Sequence, residues 1–382
     1  MKIAIDVQPL ISGRRTGIGF YQSDLLKAAI RLAPEHKFVL NFFSLRHTGE
    51  KIGRLRELFG DDVEIRPCRW FSSPLLHRIW LILPVPYKWF FRQKADVSVF
   101  FNYYVPPYAE GKVLSVVYDT VVKDMPQTMD KRTRRALNMT LKRSIQRSDR
   151  VITISDFSRS RIMEHFGVPC EKLDVIYCGI DDASFHPGYS AEDIETCKKR
   201  FNISGRYILY LGTIEPRKNI LGLIKAYKQL SGRKPDCPFL VIAGGKGWLY
   251  DEIFAKVREY GLEERVLFTG YVDDNDAPLL MCGAELFCFP SFYEGFGMPP
   301  LEAMSCGTPT VVSDRSSLPE VVGNAALTAD PDSPEKLAEA MEKILSDDGL
   351  RSSLREKGIS QAKKFTWENS AKKFIKLIGE KS

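Results

Sequence analysis

Short, unbroken apolar runs alternating with helical stretches constrain this chain more than any other feature. The first series comprises IAIDV (3–7), FVLNFFS (38–44), VEIRPC (63–68), VSVFFN (97–102), VLSVVYD (113–119), VITIS (151–155) and VIYCGI (175–180). A strand that is apolar at consecutive positions is buried on both faces, which calls for a mostly parallel sheet covered by helices on either side. Amphipathic segments such as Phe20 to Leu32 supply that cover. After the polar stretch GYSAEDIETCKKR the pattern restarts, with YILYLG (207–212), FLVIAGG (239–245), VLFTGYV (266–272), LFCFPS (286–291) and PTVVSD (309–314). The expected fold is α/β, with two doubly wound Rossmann-like domains over 1–186 and 187–365, the boundary lying near Pro187. Its 382 residues are enough for two such cores. The end of the chain, from Phe365-Thr366-Trp367 onward, reads as a helix from Glu368 to Ile378.

Composition narrows the function classes. Apolar residues at 44% and charged residues at 27% are the balance of a globular protein in water. None of the eight cysteines forms a CxxC pair or stands at metal-ligand spacing from a histidine, so no metal site is expected and the thiols read as reduced. The longest apolar candidate for a membrane span, 79–91, is broken by Pro84, Pro86 and Lys88, well short of the roughly 20 residues required. Met1-Lys2 leads straight into a strand, IAID, and a cytoplasmic location is expected. Charge is uneven: residues 1–186 hold 29 Lys and Arg against 20 Asp and Glu, whereas the remainder holds 26 against 28. The basic excess of the first half suggests an anionic surface as partner.

The chemistry concentrates in FPSFYEGFGMPPLEAMSCG, residues 289–307. Glu294 and Glu302 stand eight positions apart around Gly295, Gly297, Met298, Pro299 and Pro300, directly after a buried strand. The prolines suit the first turn of a helix, where a missing N–H costs little. Free N–H groups at such a helix start favour diphosphate oxygens, and glycines let a ligand approach the main chain. The two carboxylates remain available for hydroxyls. In LGTIEPRKN (211–219), Arg217 and Lys218 precede a helix that begins near Asn219, so their charges and the helix start can meet one diphosphate.

This arrangement resembles the Glu-x7-Glu motif of the retaining nucleotide-sugar glycosyltransferases of family 4, which have the B-type fold of two Rossmann-like domains facing each other across a cleft. The resemblance covers nearly the whole chain and is strongest over 207–330. It implies that Arg217 and Lys218 hold the diphosphate and that the backbone at Gly297, Met298 and Pro299 assists them. It further implies that Glu302 takes the ribose, the main chain around Val272 the base, and Glu294 the transferred sugar. No metal or other cofactor is implied. A final helix, 366–382, is expected to cross back onto the N-terminal domain. In the first loop, GRRTGIGFY, Gly17 and Gly19 match a glycine loop that faces the donor phosphate. Asp119 remains a candidate for the acceptor hydroxyl, with a strand-end cap as its alternative; the His that many relatives place before it is Tyr118 here. Similarity to bacterial mannosyltransferases of O-antigen and capsule assembly implies GDP-mannose as donor and a lipid-linked or oligosaccharide acceptor.

Gly13, Gly17 and Gly19 imitate a dinucleotide fingerprint, but Gln22 stands where its third glycine would fall, which disfavours an oxidoreductase. AGGKGW (243–248) lacks Walker A spacing. Asp274-Asn275-Asp276 imitates a metal-binding Asp-x-Asp, yet its place before a helix points to capping, as does that of Ser155 or Asp156. Residues 69–92 mix Trp70, Trp80 and Trp89 with Arg69, Arg78, Lys88 and Arg92, and 130–148 sets seven Lys and Arg around a stripe of Leu137, Leu141 and Ile145. Both suit peripheral docking on the anionic inner face of the cytoplasmic membrane. Nucleic acid would match the charge but not the aliphatic content. The rival readings are a UDP-N-acetylglucosamine 2-epimerase-like isomerase of the same fold, and an inactive, membrane-docked nucleotide-binding protein.

Overall fold

Consecutive apolar residues build two parallel sheets in the computed structural model, which describes residues 1–11, 16–92, 94–245, 247 and 251–380. The first sheet contains β1 (Lys2–Asp6), β2 (Lys37–Phe43), β3 (Glu64–Cys68), β4 (Val97–Phe100), β5 (Lys112–Val116), β6 (Arg150–Thr153) and β7 (Leu173–Val175), in the order β3-β2-β1-β4-β5-β6-β7. Ile3 pairs with Phe38 on one side and Val97 on the other, and all three are buried. The second contains β8 (Tyr207–Leu211), β9 (Phe239–Ala243), β10 (Val266–Gly270), β11 (Leu286–Phe289), β12 (Thr310–Ser313) and β13 (Leu327–Ala329), in the order β10-β9-β8-β11-β12-β13. Each sheet therefore places its fourth strand beside its first, the doubly wound arrangement. β7 ends at Val175, the first residue of the 175–180 run that was expected to be a strand, and β13 was not anticipated.

The chain divides into two compact units, Met1–Gly179 with the segment from Thr366, and Ile180–Phe365. The division falls at Gly179, ahead of the expected Pro187, because Ile180 N–H donates to the carbonyl of Phe365 at 2.9 Å and closes the second unit on itself. Glycine is required at 179: a Cβ there would lie 2.2 Å from the Trp367 nitrogen. Thr366 Oγ1 accepts from Asn369 N–H and caps the helix Trp367–Gly379, which lies on the first unit. Trp367 packs edge-on against Tyr21 at 5.7 Å, and Lys112 Nζ donates to the carbonyls of Leu377 and Glu380, both at 2.9 Å.

Residues 69–92 form two helices, Ser73–Ile82 and Lys88–Phe91. Leu76, Trp80, Tyr87 and Phe91 enter a core with Phe43 and Phe100. Trp80 is thus a core residue and not an interfacial one, its Nε1–H donating to Val85 O at 2.8 Å. Trp70 and Trp89 remain 84% and 64% exposed. In the helix Lys131–Arg147, Leu141 and Ile145 face the core while Lys131, Arg132, Arg135, Lys142 and Arg143 are exposed. Among the described residues no helix is long and apolar enough to cross a membrane.

Candidate functional site

In an open doubly wound sheet, a crevice opens at the C-terminal edge where the chain order reverses. In the second unit that point lies between β8 and β11. The loop after β8 carries Glu215, Arg217 and Lys218; the loop after β11 carries Glu294. Topology alone therefore brings residues 76 positions apart into contact.

Local sequence fixes each of them. Pro216 opens a single 3-10 turn, Pro216–Lys218, and Asn219 follows in the left-handed region at φ 57°, its Oδ1 accepting from Gly222 N–H to start the helix Ile220–Arg233. Asn219 Nδ2 donates to the carbonyls of Pro290 and Pro331, tying the β8 loop to the loop after β11 and to the segment after β13. Gly297, at φ 108°, precedes the helix Met298–Ser305, with Leu318 Cδ2 standing 2.6 Å from where a Cβ would sit. No side chain caps that helix, and Pro299 and Pro300 have no N–H to satisfy. It starts one residue before the prolines, so Glu302 falls on its second turn.

The charged groups form one alternating chain. Arg217 binds Glu215 Oε1 at 2.5 Å through Nη2, and reaches the Tyr293 carbonyl at 2.6 Å and Glu294 Oε2 at 3.1 Å through Nη1. Lys218 Nζ donates to Glu294 Oε1 at 2.6 Å and lies 4.9 Å from the centre of the Phe289 ring. Glu215, Lys218 and Glu294 are all buried. Burial alone would raise the Glu294 carboxyl, but Arg217 and Lys218 overcome it and hold the group at about 2. Burial also pulls the Lys218 ammonium below its ordinary value, with Glu294 opposing that shift. Two acids and two bases thus neutralise one another away from water, the condition under which buried charges persist.

Glu302 lies outside this chain. It is half-buried; burial pushes its carboxyl up to about 8, and the charge of Asp274, from the loop after β10, adds to the shift. Val272 is buried in that same loop. Asp276 precedes the helix Ala277–Cys282 without capping it by its side chain, contrary to expectation: its carboxylate is taken by Arg200 at 2.5 Å. Ser155, by contrast, does cap its helix, accepting from Ser158 N–H at 3.0 Å.

The remaining candidates belong to the first unit. Gly17 is exposed at the start of the helix Gly17–Leu32 and Gly19 is buried in its first turn. Asp119 is half-buried and accepts from Val121 N–H at 3.1 Å, which accounts for the turn after β5. Tyr118 is buried against Tyr21 and Tyr103. Gly13, Lys246 and Trp248 lie outside the described residues. Sequence reasoning missed Glu215, the acid that completes the charge chain, and Ser317, whose Oγ donates to the carbonyls of Glu294 and Phe296 at 2.9 and 2.8 Å. An acid two residues before Arg217 was the available signal for the first; nothing in the spacing marks the second.

Comparison with known proteins covers both units. The model "Glycosyl transferases group 1" matches residues 193–364 and "Glycosyltransferase Family 4" matches residues 24–184. The chain is 34% identical over 379 residues to the O-antigen chain mannosyltransferase B of Escherichia coli, covering 97% of each chain. Its fold is similar to that of Anabaena HepE, solved with UDP and glucose (TM-score 0.72, 20% identity, 99% of both chains). It is also similar to that of WaaG, a glycosyltransferase involved in lipopolysaccharide biosynthesis (TM-score 0.73, 16% identity, 99% of this chain and 100% of that one).

Proposed function

The chain belongs to the glycosyltransferases of group 1 and family 4, and from that membership we propose that it moves mannose from GDP-mannose to a hydroxyl of a lipid-linked or oligosaccharide acceptor, with retention at the anomeric carbon. The observation that carries this reading is the Arg217–Glu294–Lys218 group at the β8/β11 switch point. A donor diphosphate brings oxygens that can replace those of Glu294 on the two cations. Glu294, released, then accepts from a hydroxyl of the sugar. As the bond to the sugar breaks, negative charge grows on the departing diphosphate, where two fixed cations and the start of the helix Met298–Ser305 stabilise it without reorganising.

Glu302, with its carboxyl pushed up to about 8, is largely protonated near neutral pH and can both donate to and accept from a ribose diol. The main chain at Val272 borders the base, and the backbone of Gly297, Met298 and Pro299 borders the phosphates. Asp119, in the first unit, serves the acceptor hydroxyl. The two cations do the work that a divalent ion does in other transferases, so the reaction is metal-independent. Exposed Trp70 and Trp89, with the basic face of Lys131–Arg147, hold the enzyme on anionic lipid at the cytoplasmic side of the membrane, where a lipid-linked acceptor is presented. The similarity to an O-antigen chain mannosyltransferase supports mannose and a role in surface polysaccharide assembly.

Thermal shift with GDP-, UDP- and ADP-sugars, followed by NMR of the product's anomeric centre, tests this. The expected result is selective stabilisation by GDP-mannose and an α-linked product. Stabilisation by UDP-sugars alone overturns the donor assignment, and a β-linked product overturns retention.

A further inference from the structure

The first sheet has its own switch point, between β1 and β4, and the side chains there are unlike those of the second. Asp6 ends β1 and Asn102 and Tyr104 follow β4, while His77 and Trp80 come from the helix Ser73–Ile82; all five border one chamber of about 20 Å³. Its wall is rigid. Tyr104 stacks on Trp80 at 5.8 Å and 28°, and His77 packs on Tyr104 at 4.6 Å. The preceding residue, Tyr103, is held at φ 54°, a conformation rarely adopted by residues with a side chain. Asp6 Oδ1 accepts from Gln8 N–H at 3.2 Å, and Asn102 is exposed at the mouth.

Size and polarity limit what can enter. A chamber this small admits about one water-sized group. A pyranose ring cannot pass, but one hydroxyl of it can. Burial pushes the Asp6 carboxyl up to about 7 and the His77 imidazole down, so both sit readily in neutral forms. No Lys or Arg is among the described residues that line the chamber, Arg147 reaching only the Tyr104 side of its rim, so a diphosphate would find no cation inside it and a metal ion would find one carboxylate. An uncharged hydroxyl, with a sugar ring lying across aromatic and amide groups at the rim, matches both the chamber and its mouth.

We propose that this chamber sets acceptor specificity: it receives one hydroxyl of the terminal acceptor sugar on Asp6, while the ring lies over Tyr104 and Asn102. The assignment rests on the glycosyl-transfer reading above. A site built around one hydroxyl rejects a sugar that lacks it, since the Asp6 carboxyl, already holding Gln8 N–H through Oδ1, then loses its second partner.

The test uses the full chain, GDP-mannose, and octyl α-mannoside, glucoside, galactoside and N-acetylglucosaminide as acceptors, then the monodeoxy analogues of the one used best. One deoxy position is expected to lose about a hundredfold or more in kcat/KM in the wild type. Asp6→Asn is expected to raise acceptor KM about tenfold to a hundredfold and to narrow the discrimination at that same position only. Asn102→Ala, at an exposed position, is expected to raise acceptor KM about threefold, as loss of one neutral hydrogen bond would. Donor KM and slow donor hydrolysis without acceptor stay unchanged in both variants, which also reports that they are folded. The proposal is overturned if no monodeoxy analogue is rejected, or if Asp6→Asn weakens every analogue equally. It also fails, with the donor site intact, if the wild type hydrolyses donor but transfers to none of the four glycosides. Failure to bind any nucleoside diphosphate would instead overturn the transfer reading itself.

Discussion

The two sheets share a strand order around their first strand, and each opens a crevice between its first and fourth strands, yet the crevices are furnished oppositely. Between β8 and β11 stand four alternating charges, mutually neutralised, of which Glu215, Lys218 and Glu294 are buried and Arg217 half-buried. Between β1 and β4 stand aromatic rings, amides and one carboxyl that burial drives toward its neutral form. Topology fixes where a ligand can approach, and the residues at that place decide its chemistry. A diphosphate needs fixed cations that hold their places as its charge grows. A sugar hydroxyl needs a hydrogen-bonding partner in a pocket of its own size.

The sharpest way to break this contrast is to remove one charge from the second crevice. Lys218→Ala is expected to lower kcat/KM about a hundredfold to a thousandfold, because a donor group aimed at developing charge is lost. It should also destabilise the protein by about 3–5 kcal/mol, since Glu294 is left buried without its nearest partner. Combining Lys218→Met with Glu294→Gln should recover much of that stability and none of the activity, which chemical denaturation and kinetics would separate. Full activity in Lys218→Ala would remove the second crevice from the mechanism.

Glu215→Gln is expected to be milder. It leaves Arg217 in place but loosens its Nη2 anchor, so donor KM should rise about tenfold while acceptor KM holds, consistent with losing one charge-assisted hydrogen bond. A rise in acceptor KM alone would put Glu215 in the wrong crevice.

Stability against pH distinguishes the two acids of the 289–307 stretch. Glu294 has a depressed folded value, from 4.5 to about 2, so its contribution is present above about 4.5 and is lost as pH falls toward 2. Glu302 has a raised folded value, from 4.5 to about 8, so its contribution is complete below about 4.5 and is lost as pH rises through 8. Glu302→Gln should therefore flatten the alkaline limb, with Tm at pH 9 above that of the wild type by about 2–4 °C. An unchanged alkaline limb would mean that Glu302 is solvated. The smallest effect expected is on membrane contact: Trp70→Ala and Trp89→Ala should each weaken binding to anionic vesicles about threefold, as an exposed ring contributes modestly at an interface. No change in a sedimentation assay at low salt would take the first unit off the membrane.

Much of this organisation was legible in the sequence because strands buried on both faces are written as continuous apolar runs. β13, only Leu327–Ala329 and partly exposed, carries no such run and was invisible. Arg217, Lys218 and Glu294 could be found because each follows a strand that ends at the same sheet edge. Glu215 offered only a fainter signal, its place two residues before Arg217, since what joins it to the charge chain is a side-chain pairing within a loop and not a periodicity. The boundary at Gly179 depends on Ile180 meeting Phe365, a contact between distant positions that no local pattern encodes. Sorting the tryptophans of 69–92 required the phase of the helix Ser73–Ile82: Leu76 and Trp80, four apart, share its buried face, and Trp70 precedes it.

Calorimetric titration of GDP and of guanosine into the wild type and Lys218→Met tests the central claim most directly. If Lys218 and its neighbours grip the diphosphate, GDP should lose about a hundredfold in affinity in the variant while guanosine binds as before. Equal losses for both ligands, or none for GDP, would contradict the account.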